Sequence, residues 1–286
     1  MHRALPMFLL AGLCLSSLDA TAKYLVRDHS LFVIVWARYV GQMLVVTPFA
    51  WQRSGPGFWR TRHPALQLVR SAFLLLATVF FFAGLRFLPL AEASSIMYLA
   101  PMFIVLLCHP VLRERPTRGS YIATLIGFVG VVVLLRPGSN VLHPAALLVL
   151  AAALSNALYQ VLTRRLLDEN PHTTLFYSGI VGAAGLSLGL PFAFDASLLS
   201  WRESAFLAIL GLCSGLGHWL ITGAYLRAPA ALLTPFTYLQ LVWATLYGYA
   251  LFAQLPDRWS ALGMVVIVAS GLLLALQQRS QLARKR

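Results

Sequence analysis

Ser16, Asp19 and Lys23 stand at i, i+3 and i+7 of one apolar stretch, which puts a hydroxyl, a carboxylate and an ammonium on a single helix face. Glu92, Ser95, Tyr98 and Met102 form a similar stripe further on. Ionisable groups inside apolar runs have two chemical uses: they carry a proton or hold a charged solute, or they neutralise one another and pin helices together. Both uses are open for Asp19, Lys23, Arg38 and Glu92. Counted from the ends of their runs, Asp19 and Arg38 lie at similar depth, roughly 10 Å, and are expected to pair. Lys23 and Glu92, nearer the same surface, form a second expected pair, with Asp19 and Lys23 at i, i+4 as the alternative. His218, midway along another run, is either a proton carrier or a neutral packing histidine. Ser214 and His218, one turn apart within GLCSGLGH, are the nearest approach to a nucleophile and base, but no acid is evident to orient the imidazole and no strained turn exposes the serine. No catalytic residue is expected. Cys14, Cys108 and Cys213 each sit alone, without Cys-x-x-Cys or a neighbouring His, so no metal site and no cofactor are expected either.

Further polar residues inside apolar runs include Ser17, then Asn156, Tyr159, Gln160 and Thr163, then Trp219 beside His218, then Thr234, Thr237, Tyr238 and Gln240. Polar groups avoid lipid and face a cavity or a neighbouring helix. The candidate substrate-binding set is therefore Ser16, Ser17, Asp19, Tyr98, Asn156, Tyr159, His218, Trp219, Tyr238 and Gln240.

The elements that position them follow from composition. The chain has 286 residues, 59% hydrophobic and only 11% charged, with mean hydropathy +0.76. A soluble domain carries about 25% charged residues, so this is an all-α membrane protein. The net charge of +13 does not indicate nucleic acid, because Lys and Arg lie mostly in short gaps between apolar runs. Ten runs of about 17 to 24 residues suit helices crossing roughly 30 Å of hydrocarbon. They are Leu5–Val26, Leu31–Trp51, Leu66–Leu88, Leu90–Leu112, Gly119–Leu135, Pro144–Leu167, Thr174–Phe194, Ser204–Leu226, Pro229–Leu251 and Trp259–Leu276. Arg3, the first run and Ala20-Thr21-Ala22 imitate a cleaved secretory signal. Removing that run would leave four crossings against five, so it is read as the first helix.

The halves repeat. A shift of 140 residues lays Pro89–Arg118 over Pro229–Arg258, with Tyr98 on Tyr238, Leu99 on Leu239, Pro116 on Pro256 and, outside that stretch, Asp28 on Asp168. The expected units are 1–138, holding the first five helices, and 139–286, holding the second five and a short basic tail. Five is odd, so the second unit enters from the opposite side: two five-helix inverted repeats, an architecture that opens to either face around a midplane site. Fourteen Lys and Arg fall on the side of the N-terminus against six on the other, with Arg38 and Arg70 inside helices. Both termini are therefore expected in the cytoplasm. Pro101 and Pro235 interrupt the fourth and ninth helices and are expected hinges. Gly127 with Gly130, and Gly182 with Gly185, are expected at close helix contacts. Trp51, Trp59, Trp201 and Trp259 lie near the interfaces, whereas Trp36, Trp219 and Trp243 lie deeper.

WARY at Trp36–Tyr39, YLAP at Tyr98–Pro101, RERP at Arg113–Pro116, GFVGVVVLL after it and their weaker echoes resemble the EamA-type branch of the drug/metabolite transporter superfamily, over nearly the whole chain. The resemblance implies a ten-helix inner-membrane secondary transporter with a central cavity between the halves, and the overall pattern resembles the YddG-like amino acid exporters. The acidic residue the family places after the fourth helix is Glu114; its second-half equivalent is Gln254. The main expectation is export of amino acids or similar small amphipathic metabolites by alternating access. The alternative is a vitamin or nucleotide-like metabolite importer, of riboflavin or S-adenosylmethionine type; an intramembrane enzyme is the remote one. Expected partners are a small-molecule substrate and the lipid bilayer, with a monomer or weak homodimer as the functional unit.

Overall fold

A segment surrounded by hydrocarbon must satisfy its backbone N–H and C=O groups internally, and a helix does this within one segment. The computed structural model describes residues 4–113, 116–136, 143–193, 200–228 and 233–284. Its helices are α1 (Ala4–Leu25), α2 (Leu31–Ser54), α3 (Pro64–Leu85), α4 (Leu90–Met97), α5 (Ala100–Leu107), α6 (Arg118–Leu135), α7 (Ala145–Arg164), α8 (Pro171–Ala193), α9 (Trp201–Tyr225), α10 (Leu239–Phe252) and α11 (Arg258–Arg284). Nine stretches among the described residues are long and apolar enough to cross a bilayer, with Leu90–Leu112 counted as one. The tenth crossing is α10 with its 3-10 lead-in, Thr234–Tyr238. The expected unit boundary at 138/139, together with Glu114, Arg115 and the basic residues Arg3, Lys285 and Arg286, lies outside the described residues.

Helix ends differ from expectation where capping decides them. α9 begins at Trp201 rather than Ser204, because Ser200 accepts from the Glu203 N–H at 3.3 Å while Glu203 accepts from the Ser200 N–H at 2.7 Å. α3 starts at Pro64, a residue with no N–H to leave unsatisfied.

The fourth and ninth runs are not the continuous kinked helices expected. The fourth breaks at Tyr98–Leu99, where the Tyr98 and Leu99 N–H groups turn back to Ser95 and Ile96. Pro101, at the start of α5, has no N–H for the Met97 carbonyl, so the ladder fails one turn before it. In the ninth run Pro235 starts the 3-10 segment that ends at Tyr238. Each proline thus stands three residues from its half's tyrosine, one after and one before. The repeat even reproduces the far ends: Arg113 (φ 58°) and Ala253 (φ 53°), 140 apart, both take the left-handed conformation that closes these segments, at a cost of roughly 1 kcal/mol for a non-glycine residue.

Packing has two-fold character. α1 lies on α9 as its repeat partner α7 lies on α3, while α2 packs on its own partner α8 and α6 on its partner α11. Small residues allow these approaches. A Cβ added at Gly41 would stand 2.3 Å from the Gly211 Cα, where α2 crosses α9; one added at Gly263 would stand 2.7 Å from the Gly130 carbonyl oxygen, where α11 crosses α6. Gly127 and Gly182 are equally tight, against Met102 and Tyr39, but Gly185 faces open space and is not a contact. The outer surface is aliphatic, with Leu44, Leu125, Leu147 and Leu188 more than 60% exposed, whereas Arg70, Gln42, Gln67 and Ser95 are buried. This inside-out arrangement suits a lipid solvent. Trp51, Trp59, Trp201 and Trp259 are exposed at helix ends, as membrane-interface anchors are.

Candidate functional site

Where the two broken helices meet, the Tyr98 and Tyr238 rings lie 5.1 Å apart, tilted by 35°. Tyr98 Oη donates to the Thr237 carbonyl across the boundary between halves, at 2.8 Å. Tyr98 lies at the break between α4 and α5, and Tyr238 ends the 3-10 segment, so the contact is made where both helices lose regular geometry. The Tyr238 hydroxyl occupies the place a side chain at residue 271 would need, 1.5 Å from a Cβ there, so Gly271 is required beneath it.

α1 borders this pair. Ser16 Oγ makes a long contact with the Gln240 carbonyl at 3.5 Å, and the Gln240 side chain lies over Gly12. Ser17 Oγ donates to the Leu13 carbonyl at 2.9 Å and meets Tyr247 Oη at 2.7 Å. Tyr247 escaped the sequence reading; its only signal is a hydroxyl inside an apolar run. Asp19 is half-buried and makes no hydrogen bond among the described residues, yet it lies within electrostatic reach of both Arg38 and Tyr98. Arg38 also acts on His218.

The expected ion pairs are not the ones formed. Arg38 Nη1 donates to Thr78 Oγ1 at 2.5 Å and its guanidinium lies on the Tyr39 ring, while its buried Nε has no hydrogen-bond partner among the described residues. Lys23 Nζ donates to the Leu85 and Leu88 carbonyls at 3.1 and 2.5 Å, at the C-terminal end of α3. A helix end carries partial negative charge and unsatisfied carbonyls, which is why an ammonium settles there instead of on Glu92 or Asp19. Glu92 accepts from Ser260 Oγ at 2.8 Å. Lone backbone carbonyls leave no mark in a sequence, so this outcome was not legible there.

His218 Nδ1 donates to the Ser214 carbonyl at 2.9 Å, while Ser214 Oγ donates to Gln42 Oε1 at 3.2 Å. The serine proton thus points away from the imidazole. Trp219 stacks on Phe49, with ring centroids 4.5 Å apart. Tyr159 does not join the tyrosine pair: its ring lies 4.9 Å under the Arg70 guanidinium, which also donates to Thr163 Oγ1 (3.0 Å), the Thr174 carbonyl (2.7 Å) and Ser178 Oγ. Arg70, which sequence reading set aside, thus organises a second polar cluster joining α3, α7 and α8. Asn156 is half-buried and makes no hydrogen bond among the described residues. Of the expected hinges, Pro101 opens α5 and Pro235 opens the 3-10 segment. No group of three or more His, Cys, Asp or Glu suited to a metal occurs among the described residues. Away from the tyrosine pair, an apolar groove of about 360 Å³ between α2 and α8 is lined by Val40, Met43, Pro48 and Ile180.

Comparison with known proteins is consistent across the chain. An S-adenosylmethionine uptake transporter of Rickettsia felis is 28% identical over 281 residues, covering 97% of this chain and 94% of that protein. A riboflavin transporter of Rhizobium johnstonii is also 28% identical, covering 97% of this chain and 91% of its own. A chain solved by crystallography superposes with a TM-score of 0.68 at 22% identity, covering 97% of this chain and 98% of its own, which speaks for the fold. Residues 2–136 and 143–276 each match the EamA-like transporter family, and the chain, a multi-pass membrane transporter, belongs to that family.

Proposed function

We propose that the protein takes up a ring-bearing, cofactor-like metabolite by alternating access around the Tyr98–Tyr238 pair. Amino acid export, the main expectation from sequence, gives way to the importer alternative, because the similar transporters are named for S-adenosylmethionine uptake and for riboflavin. The observation that carries the reading is the pair of tyrosine rings at symmetric helix breaks, within electrostatic reach of an Asp19 that has no hydrogen-bond partner among the described residues. Aromatic faces hold planar rings. Asp19 and Arg38 are opposite charges sharing a low-dielectric interior without being paired with each other, an arrangement that suits a solute carrying an amino and a carboxylate group. Ser16, Ser17, Asn156 and Gln240 supply hydroxyl and amide contacts, His218 and Trp219 flank the site, Tyr159 stays with Arg70 in the separate polar cluster, and Pro101 and Pro235 let the segments swing.

In this reading the units 1–138 and 139–286 exchange conformations in a bacterial-type inner membrane, with both termini cytoplasmic. The test is accumulation in cells. Expression of the chain is expected to raise intracellular labelled S-adenosylmethionine or riboflavin; unchanged accumulation of both, with faster loss of amino acids, would return the assignment to export.

A further inference from the structure

The repeat makes an exchange that the transport site does not use. Under the 140-residue shift His29 falls on Glu169 and His63 falls on Glu203, so at both positions the first half holds an imidazole and the second half a carboxylate. The structure uses both. At the end of the bundle where α1 finishes and α9 starts, His29 Nε2 donates to Glu203 Oε1 at 2.9 Å. At the opposite end, where α7 finishes and α3 starts, His63 Nε2 donates to Asp168 Oδ2 at 3.3 Å, and the neighbouring Glu169 accepts from Thr61 Oγ1 and the Arg62 N–H at 2.9 and 2.7 Å. Each pair joins a first-half residue to a second-half residue. Each lies at one end of the bundle, because the repeats are inverted. Both are closed in this structure.

We propose that His29–Glu203 and His63–Asp168 are opposing latches of the transport cycle, each holding one face shut by tying the halves together and each parting when that face opens. The proposal rests on the alternating-access reading but not on any substrate. A carrier open to both sides at once would leak, so closure at the two ends must be separable; two latches of the same chemistry on opposite faces supply that. Partial exposure fits a contact that breaks and re-forms: the side chains are 17% and 28% exposed at the first pair, 44% and 52% at the second. Partly exposed pairs of this kind are weak, so they can be broken and re-formed in every turnover.

The experiment replaces the three native cysteines, Cys14, Cys108 and Cys213, by Ala, adds Ser17→Cys as a reporter near the tyrosine pair, and cross-links either His29→Cys with Glu203→Cys or His63→Cys with Asp168→Cys. A membrane-impermeant maleimide is applied from each side of the membrane in turn. With the first cross-link, labelling from the His29 face is expected to be lost and labelling from the His63 face kept; with the second, the reverse, and reductant restores both. Labelling from a face whose own latch is locked overturns the proposal, as does failure of a short, reductant-cleavable bis-thiosulfonate cross-linker to bridge either cysteine pair in folded protein. If a cysteine variant misfolds, His63→Asp, which sets like charges together, is expected to raise labelling from the His63 face, and adding Asp168→His to reverse it; no change in either variant refutes the latch. No substrate enters these assays, so a wrong substrate assignment would leave their outcome readable.

Discussion

Tyr98 and Tyr238, equivalent residues of the two halves, meet ring to ring at 5.1 Å, and each sits where its helix loses regular geometry. Equivalent residues of an inverted repeat touch only on the axis that relates the halves, so this contact marks the axis. Of α1, Ser16 lies against the start of α10 and Ser17 against Tyr247, and Asp19 is within electrostatic reach of Tyr98. A substrate that must be offered to both faces is best held there.

On the proposed reading, removing one ring is expected to weaken solute binding directly. Tyr98→Ala is expected to lower apparent affinity for a ring-bearing substrate by about 2- to 13-fold, from an aromatic contact worth about 0.5–1.5 kcal/mol beyond its area. Tyr98→Phe keeps the ring and loses only the bond to the Thr237 carbonyl, so it is expected to keep KM and alter turnover. Uptake kinetics in proteoliposomes separate the two; equal effects of both substitutions on KM would place the substrate elsewhere.

Arg70 is a buried cation whose hydrogen-bond partners are hydroxyls and one carbonyl. Arg70→Ala leaves Thr163, Ser178 and the Thr174 carbonyl short of a donor and opens a cavity, at a cost of about 2–4 kcal/mol. Arg70→Met refills the volume and is expected to lose less. Thermal unfolding in detergent checks the order.

Close approach at Gly41 leaves no room for a methyl group beside Gly211, whereas Gly185 has nothing within 4 Å. Gly41→Ala is expected to lower the melting temperature and the yield of monodisperse protein, and Gly185→Ala to change neither. A destabilised Gly185→Ala with an intact Gly41→Ala would show that the helix crossing is misplaced.

Between α10 and α11, Asp257 accepts from the Ser260 N–H at 2.8 Å and pairs with Arg136, which together hold its carboxyl below the ordinary value of 3.8. A depressed pKa contributes stability that is present above 3.8 and is lost as pH falls through the lowered folded value. Asp257→Asn is accordingly expected to lower the melting temperature near neutral pH, with the difference from the parent protein shrinking in acid below that range. A difference independent of pH would mean that the charge is not what stabilises this corner.

Much of this architecture was legible in the chain because hydrocarbon thickness sets a length that apolar runs must match, and because Tyr98 and Tyr238 sit at one repeat offset. Lys23 was not legible: its partners are the Leu85 and Leu88 carbonyls, which every residue carries. The break at Tyr98–Leu99 lay one turn ahead of Pro101 because the ladder fails at the missing donor's acceptor, not at the ring. Arg70 and Tyr247 were passed over because a lone polar residue in an apolar run shows depth but not direction; which cluster it joins is decided by helix rotation and by the neighbour from the other half. His29, His63 and Glu203 went unremarked in the sequence, and Asp168 stood out only as the repeat mate of Asp28; their pairing shows once the halves are set against each other.

The most direct measurement is uptake of labelled S-adenosylmethionine into proteoliposomes containing the purified chain or its Asp19→Asn variant, both shown to be folded. Saturable accumulation by the parent chain, reduced at least about tenfold by the loss of one buried charge contact worth about 1.5–3 kcal/mol, is the expected result. Accumulation that the variant performs equally well would contradict the site, and no saturable uptake of S-adenosylmethionine or riboflavin by the parent chain would contradict the proposed function.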